Sequence, residues 1–203
     1  MSYLFAHTAR VAGLLGQHVV LVGVALIVAL VIAVPLGILA TRNTRAGAVI
    51  LGITGVIYTI PSLALLALLV TALGLGQITA IVALVAYAQM ILVRGVVAGL
   101  RGVDVALIDA ARGIGFTPRQ TLLRVEFPAA LPVMLGGVRV ATVSLVALAT
   151  VAAWINAGGL GVLLFEGIST NNPDKIIAGA LAAAALAIVA DVSLRGAERV
   201  VRT

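Results

Sequence analysis

The chain has 203 residues, of which 63% are hydrophobic and 10% are charged, and its formal net charge is +6. Soluble domains are about 45–50% apolar and about 25% charged, so this composition excludes an ordinary soluble domain and a disordered chain. It predicts a membrane protein with several spans. The absence of cysteine excludes disulfides and thiolate metal sites, and the two histidines, His7 and His18, are too isolated in the sequence to predict a metal site.

Four long segments without Asp, Glu, Lys or Arg mark the predicted membrane spans. A helix needs about 20 apolar residues to cross a hydrocarbon core of about 30 Å. The second segment, residues 46–93, is long enough for two crossings, and its hinge is predicted at Gly74 and Gly76 because glycine weakens a helix. We therefore predict a single all-α membrane domain over residues 1–203, with about five transmembrane helices near residues 19–40, 48–72, 78–97, 133–155 and 176–194.

The cationic residues predict the orientation of these spans. Five spans put the two termini on opposite sides of the membrane, and cytoplasmic loops carry an excess of Lys and Arg. If the C-terminus is cytoplasmic, only Arg10 and Lys175 lie outside. We therefore predict an N-terminus outside and a C-terminus inside the plasma membrane, and the basic charge requires no nucleic-acid partner. The preference for Arg over Lys, with many Ala and Val, is typical of a GC-rich genome and predicts a bacterial source. The residues placed inside or near the inner ends of spans are Arg42, Arg45, Arg94, Arg101, Arg112, Arg119, Arg124, Arg139, Arg195, Arg199 and Arg202.

A cytoplasmic segment near residues 100–130 separates the third and fourth predicted spans, and it is too long for a passive connector. Asp104 is a suitable N-cap for a short helix over Val105–Arg112. Gly113 and Gly115 are predicted to end this helix because glycine accepts a left-handed backbone. From the residues alone, the helix either docks into a cleft of another protein or lies on the lipid surface.

A second helix is predicted directly after the first. Thr117 is a suitable cap, Pro118 suits the first helical position, and Gln120 completes a capping box. Pro128 and Pro132 are predicted to end this helix before the fourth span, because proline lacks the backbone N–H. The segment is therefore predicted to form a compact helix–turn–helix on the cytoplasmic face.

The same segment resembles the EAA loop of ATP-binding-cassette (ABC) importer permeases. The family pattern is Glu-Ala-Ala, three residues, Gly, nine residues, Ile, one residue and then Leu-Pro. This chain has Asp109-Ala110-Ala111, Gly115 after three residues, Val125 after nine more, and Phe127-Pro128. The spacing agrees throughout, with Asp for Glu, Val for Ile and Phe for Leu. The resemblance implies the type I ABC importer permease fold.

Four further stretches are similar to the osmoprotectant subfamily of these permeases, which imports glycine betaine, choline, carnitine and related compounds. One departure is that Arg94 is followed by Gly-Val-Val, where these permeases often carry Arg-Asn-Thr-Tyr. The implied function is the permease subunit of an osmoprotectant importer. The alternatives are a permease for another small solute, such as an amino acid or another amine, and a stand-alone carrier or channel. The similar stretches are Tyr58–Leu66, Gly74–Gly76, Gly102–Ala111 and Asn156–Gly161.

The resemblance also implies partners. The short helix is then a coupling helix that docks in a groove of a cytoplasmic ATPase dimer, and that dimer binds ATP and Mg, while this chain binds no cofactor. A second permease subunit, identical or paralogous, a separate extracytoplasmic binding protein and the lipid of the membrane are the other partners. Arg112 either pairs with acidic groups of the ATPase or is only solvated. The implied coupling residues are Asp109, Ala110, Ala111, Arg112, Gly115 and Pro128.

Candidates for the translocation pathway come from the spans and the outer side. Pro61 removes a backbone hydrogen bond and kinks the second span, where the break lines a cavity or only serves packing. Thr142 and Ser144 place small hydroxyls along the fourth span, where they line the pathway or satisfy helix contacts. Gly158 and Gly159 follow the fourth span and form either a flexible gate facing the binding protein or a tight turn.

Four missing features bear on the source of energy and on catalysis. The sequence has no Gly-x-x-x-x-Gly-Lys-Ser/Thr phosphate loop and no His-Glu-x-x-His element. It also has no Gly-x-Ser-x-Gly element. No predicted span has a charged residue at its centre, as the proton relay of a secondary carrier would need. The chain is therefore predicted to be a non-catalytic transport subunit that a separate ATPase drives.

Overall fold

The computed structural model describes residue 3 and residues 6–202, with side chains up to residue 199, so the side chain of Arg202 in the predicted inner tail lies outside the described part. All regular secondary structure in this part is helical. A π-helical turn, Leu122–Glu126, and a 3-10 turn, Ala153–Ile155, flank the seventh helix. The helices are α1 Thr8–Arg42, α2 Thr44–Thr59, α3 Ser62–Leu73, α4 Gln77–Arg101, α5 Val105–Gly113, α6 Pro118–Thr121, α7 Phe127–Ala152, α8 Gly161–Ser169 and α9 Pro173–Arg202.

Four of the described helical segments are long and apolar enough to cross a membrane, and a bent pair brings the number to five. The four are α1, α4, the continuous run Pro118–Ile155 and α9. The fifth is the pair α2 and α3, which meet at 98°. A single kinked span was predicted near residues 48–72, whereas the structure has two helices at nearly a right angle. The chain turns at Ile60, which has an extended backbone, and at Pro61, which has no N–H to continue the helix.

The prediction that Pro128 and Pro132 end the helix after Thr117 is wrong. The helix continues from Pro118 to Ile155 through both prolines. The π-helical turn ends at Glu126, so Pro128 falls in the first turn of α7, where a missing N–H costs least. Pro132 lies inside α7, and a membrane helix tolerates an internal proline when neighbouring helices support it.

Small residues let the three central helices α1, α4 and α7 approach closely. A Cβ atom at Gly37 of α1 would lie 2.5 Å from the Val96 side chain of α4. The spacing of Gly95 and Gly99 predicts close packing, and the structure confirms it. A Cβ at Gly95 would lie 3.2 Å from Cα of Gly137 in α7, and one at Gly99 would lie 2.9 Å from the Ala130 carbonyl oxygen. The core of the bundle therefore depends on backbone-to-backbone contact between spans.

The last span, α9, is joined to α7 by ion pairs. Arg139 of α7 lies 2.9 Å from the Asp191 carboxylate and 2.8 Å from that of Glu198. Asp191 also pairs with Arg195 at 2.7 Å, one turn further along α9. Arg139 and Asp191 are only 27% and 24% exposed, so each charge compensates the other within a partly desolvated contact.

Candidate functional site: the coupling segment and the outer loop

The coupling segment, which we define as residues 104–128, begins with a well-capped helix. The Asp104 side chain accepts a hydrogen bond of 2.9 Å from the Ala106 N–H, as predicted for an N-cap. At the other end Gly115 has a φ of +88°, and the Phe116 N–H donates to the Ala111 carbonyl at 3.0 Å. This left-handed residue closes the helix as expected of glycine. The predicted helix, its cap and its stop are confirmed.

The second helix of the coupling segment begins with the predicted capping box. The Gln120 N–H donates to Thr117 Oγ1 at 3.3 Å, and the Thr117 N–H donates to Gln120 Oε1 at 2.8 Å. Pro118 occupies the start of the helix. These reciprocal bonds satisfy two backbone donors that a helix start otherwise leaves free. The turn between the two helices is therefore fixed by its own residues.

The implied coupling residues divide into two groups. Ala111 is 5% exposed, and Ile108 packs beside it against a small cluster that includes Val96, Leu100 and Met134 of the spans. These two residues hold α5 against the bundle. The other implied coupling residues are exposed: Asp109, Ala110 and Arg112 on α5, Gly115 just after it, and Pro128 in the first turn of α7. The apolar side chains of Val105, Leu107 and Ile114 are exposed as well.

The charges on α5 are weakly engaged within the chain. Arg112 lies 3.5 Å from the Asp109 carboxylate, and both side chains are about two-thirds exposed, at 67% and 64%. Exposed pairs of this kind contribute about 0–1 kcal/mol. Neither charge is therefore committed to a structural role, and both remain available to a partner.

Glu126 is a buried charge that sequence reasoning missed. Its side chain is 5% exposed and lies 2.7 Å from the Arg42 guanidinium at the end of α1. The pair joins the π-helical turn to the first span, and a cavity of about 580 Å³ lies beside it, lined also by Arg112 and Arg119. Glu126 occupies the position between Val125 and Phe127 at which the EAA pattern accepts any residue. The pattern therefore gave no signal for it.

Residues 156–161, which we call the outer loop after the side of the membrane predicted for them, contain several left-handed residues. Asn156, Gly158 and Gly159 have φ values of 62°, 81° and 79°. A Cβ at Gly158 would lie 2.7 Å from Gln17 Oε1, and one at Gly159 would lie 2.8 Å from His18 Nδ1. Both glycines are therefore required by close contact with α1 as well as by backbone conformation.

His18 binds this loop to the bundle, and it too was missed. It is fully buried, and its Nδ1 accepts a hydrogen bond of 3.2 Å from the Leu160 N–H. In the neutral imidazole the other nitrogen then carries the proton, and Nε2 lies 3.1 Å from the Val146 carbonyl, to which it donates. Gln17 Oε1 accepts from the Gly159 N–H at 3.1 Å. Two adjacent side chains of α1 thus hold the outer loop.

The other pathway candidates lie on separate elements. Thr142 is buried and donates to the Val138 carbonyl of its own helix at 2.8 Å, while Ser144 is half-buried on α7. Pro61 lies at the break between α2 and α3. There the Tyr87 hydroxyl of α4 donates to the Ile60 carbonyl. A pathway role for Pro61, Thr142, Ser144, Gly158 and Gly159 stays a prediction.

Residues 33–203 match the family described as the inner membrane component of binding-protein-dependent transport systems. The chain belongs to this family. It is a multi-pass inner-membrane protein and a transporter permease subunit, and its family implies a substrate-binding protein and an ATPase as partners. The predicted family, the all-α fold and the permease function are thereby confirmed.

Several curated proteins resemble the chain over most of its length. It is 41% identical over 183 residues to the choline transport system permease protein OpuBB of Bacillus subtilis, covering 90% of this chain and 84% of that protein. It is 40% identical over 178 residues to the carnitine transport permease OpuCB of Listeria monocytogenes, covering 88% and 82%. It is 40% identical over 196 residues to the osmoprotectant import permease OsmW of Salmonella typhimurium, covering 94% and 91%.

The fold also resembles a solved transporter. An inward-facing structure of the MetNI methionine ABC transporter superimposes with a TM-score of 0.87, covering 96% of this chain and 97% of that one, at 22% identity. A second crystal form of MetNI gives a TM-score of 0.83. This likeness establishes the type I importer permease fold and says nothing of the solute.

Proposed function

We propose that this chain, with a second permease subunit, forms the translocation pathway for an osmoprotectant such as choline, carnitine or glycine betaine, and that a separate ATPase dimer drives it through the coupling segment. The observation that carries the mechanism is the exposed helix α5, capped by Asp104 and packed on the bundle through the buried Ala111 and the partly buried Ile108. The named relatives support the solute class.

The coupling segment has the features of a rigid docking element. Leu107 and Ala110 on the exposed side of α5 present an apolar and a small surface, with Asp109 and Arg112 beside them for polar contacts. We propose that a groove of the ATPase receives this side. When the ATPase subunits bind ATP and Mg and close, α5 moves with them, and Glu126 and Arg42 carry the displacement to α1.

The proposed orientation places the N-terminus outside and the C-terminus inside. The ion pair between Arg42 and Glu126 brings the end of α1 beside the coupling segment. The two cations predicted outside are Arg10, near the start of α1, and Lys175, near the start of α9. Both pair with Glu166 of α8. Arg10 and Lys175 thus share one partner, as expected if both lie on the same side of the membrane, and the positive-inside rule supports the proposal that this side is the outer one.

The outer loop is proposed to face the binding protein. Its Gly158 and Gly159 lie against Gln17 and His18 in this structure. A docked binding protein that released these bonds would open the outer end of the pathway. We propose that the loop acts as a gate that is closed here.

A second candidate solute class has one observation in its favour. The chain is 40% identical over 162 residues to the ergothioneine transport permease/binding protein EgtU of Helicobacter pylori, covering 80% of this chain and 29% of that protein. A permease for another small amine or an amino acid therefore stays as the alternative. Uptake of labelled choline in competition with carnitine, glycine betaine, ergothioneine and methionine distinguishes the two.

Co-purification tests the proposed coupling. The chain, expressed with the ATPase from its own operon, is expected to elute with it in detergent at one ATPase per permease chain. Gly115→Arg should abolish this association, because the left-handed backbone at φ +88° disfavours a side chain and because the exposed arginine would project from the surface proposed to enter the ATPase groove. Wild-type elution of the Gly115→Arg complex would refute the docking role of the coupling segment.

A further inference from the structure

Two of the three tyrosines of the chain meet at the break in the second span. The Tyr87 ring of α4 and the Tyr58 ring of α2 are 6.0 Å apart between centroids and meet edge to face at 72°. The Tyr87 hydroxyl donates to the Ile60 carbonyl, directly before Pro61. A specific hydrogen bond therefore stabilises the bend between α2 and α3, and an aromatic pair lies beside this bend.

With the proposed orientation, and with the inner membrane surface at the ends of α2 and α4, the pair lies well inside the membrane. Tyr58 is fourteen residues from the start of α2 at Thr44, and Tyr87 is fourteen residues from the end of α4 at Arg101. At 1.5 Å per residue, both helices place the pair about 21 Å from their inner ends. Two independent helices thus give the same depth, in the outer half of a hydrocarbon core of about 30 Å.

The electrostatics of this position favour a cation. Tyr58 and Thr59 form the C-terminal end of α2, where the helix dipole and the last carbonyl groups carry partial negative charge. The face of a tyrosine ring is negative as well. Residues 46–93, which contain both tyrosines, include no Asp, Glu, Lys or Arg. A permanent cation would therefore meet partial negative charges from the helix end and the ring face, and no formal charge from residues 46–93 to repel or to trap it.

The Tyr58 side of the pair is accessible, and the Tyr87 side is buried. Tyr58 is 45% exposed, whereas Tyr87 is 6% exposed. Behind Tyr87, a crevice lined by Ser62, Leu66 and Leu84 has a volume of only about 10 Å³, which is about one water molecule. A ligand must therefore approach on the Tyr58 side. Tyr87 packs edge to face with Tyr58, and its hydroxyl bonds the Ile60 carbonyl at the break.

We propose that Tyr58, supported by Tyr87 and the carbonyl end of α2, is a transfer site in the permease for the quaternary ammonium group of the transported solute. This inference rests on the proposed osmoprotectant function and deepens it. The ammonium group passes over the Tyr58 ring face by a cation–π contact and moves on because no ion pair holds it. Tyr87 is a positioning residue and does not contact the solute.

Fluorination of the ring at position 58 tests this site. In the complete transporter with its ATPase and binding protein, Tyr58 is replaced by phenylalanine and then by mono-, di- and trifluorophenylalanine, which weaken the ring quadrupole with little change of shape. We expect choline uptake per ATP hydrolysed to fall stepwise, by roughly 2- to 30-fold over the series. Binding-protein-stimulated ATP hydrolysis should stay at the wild-type rate, which a structural defect would lower.

A matched variant and the wild-type protein separate the possible failures. Val56→Ala changes another exposed side chain of α2, 66% exposed, and should leave uptake per ATP unchanged. If the wild-type complex carries choline but the fluorinated series is flat, Tyr58 faces lipid and the transfer site is refuted, while the proposed function stands. If the wild-type complex does not carry any quaternary ammonium solute, the proposed function and the site that rests on it both fail.

Discussion

The coupling segment and the outer loop are both short connections with left-handed residues, but they are stabilised in opposite ways. In the coupling segment the two helix starts are fixed by bonds between residues two or three positions apart, at Asp104 and at Thr117 with Gln120, and the distant pair of Glu126 with Arg42 joins the segment to α1. The outer loop is held by His18, 142 residues away from the Leu160 N–H that it binds. A segment whose helix starts are fixed by its own residues is suited to moving as a rigid unit with the ATPase. A loop held by distant side chains can be released without unfolding itself.

The largest expected effect is at the outer loop. His18→Leu leaves the buried Leu160 N–H without its side-chain partner and removes a second bond to the Val146 carbonyl, which lies inside α7. An unsatisfied buried N–H costs about 1–3 kcal/mol. We expect a clear loss of thermal stability in detergent. His7→Leu is the matched control, since His7 is exposed and should change the melting temperature little. Equal melting temperatures for the two variants would contradict the stabilising role of the His18 hydrogen bonds.

The next effect concerns the buried charge of the coupling segment. Arg42→Met removes the partner of Glu126, whose side chain is 5% exposed. Removing one partner of a buried pair costs about 3–5 kcal/mol, and we expect less, about 1–3 kcal/mol, because Arg42 is itself 46% exposed. Denaturation in detergent measures this loss. The control is Arg112→Met, which breaks the exposed pair with Asp109 and should cost less than about 1 kcal/mol. A similar loss of stability in both variants would show that the pair of Glu126 with Arg42 contributes no more than an exposed pair.

A methyl group added at two glycines tests the shape of the coupling segment. Neither Gly113 nor Gly115 has an atom within 4 Å of an added Cβ, but only Gly115 has a positive φ. Gly115→Ala should cost about 1–2 kcal/mol of backbone strain, and a titration should show roughly 5- to 30-fold weaker binding of the ATPase. Gly113→Ala should bind as the wild type does. If both variants bind equally, the left-handed turn is not needed for docking.

The smallest effect is expected at the helix cap. Asp104→Ala removes the acceptor for the Ala106 N–H and should cost about 0.5–2 kcal/mol of local helix stability. Faster amide exchange over Val105–Gly113 reports this, with unchanged exchange in the outer loop. Asp104→Asn keeps a capping oxygen and should restore protection. Exchange that does not respond to Asp104→Ala would show that packing alone holds α5.

Local features of the fold were predictable from sequence, and distant ones were not. The short helix over Val105–Arg112, its cap and the turn at Gly115 each depend on neighbouring residues, so their patterns are visible in the chain. The role of Glu126 depends on Arg42, 84 residues away, and that of His18 on Val146, 128 residues away. Such pairings become visible only when the helices are packed.

The prolines show why residue type alone misleads in a membrane. Pro61 and Pro132 have the same ring and the same missing N–H, yet the chain breaks at one and continues through the other. Before Pro61, the carbonyl of Ile60 accepts a hydrogen bond from the Tyr87 hydroxyl. This bond stabilises the bent chain. Pro132 lies inside α7, between Ala130 and Met134, which pack in one cluster with Val96 and Leu100 of α4. The outcome depends on the neighbouring helix and not on the proline itself.

ATP-driven uptake of labelled choline into liposomes tests the central claim most directly. The permease is reconstituted with its ATPase and binding protein, and uptake is followed with and without ATP. The account predicts uptake that requires ATP and all three components and that is lost in Gly115→Arg. Choline flux through this chain alone without ATP, or wild-type uptake by the Gly115→Arg complex, would contradict it.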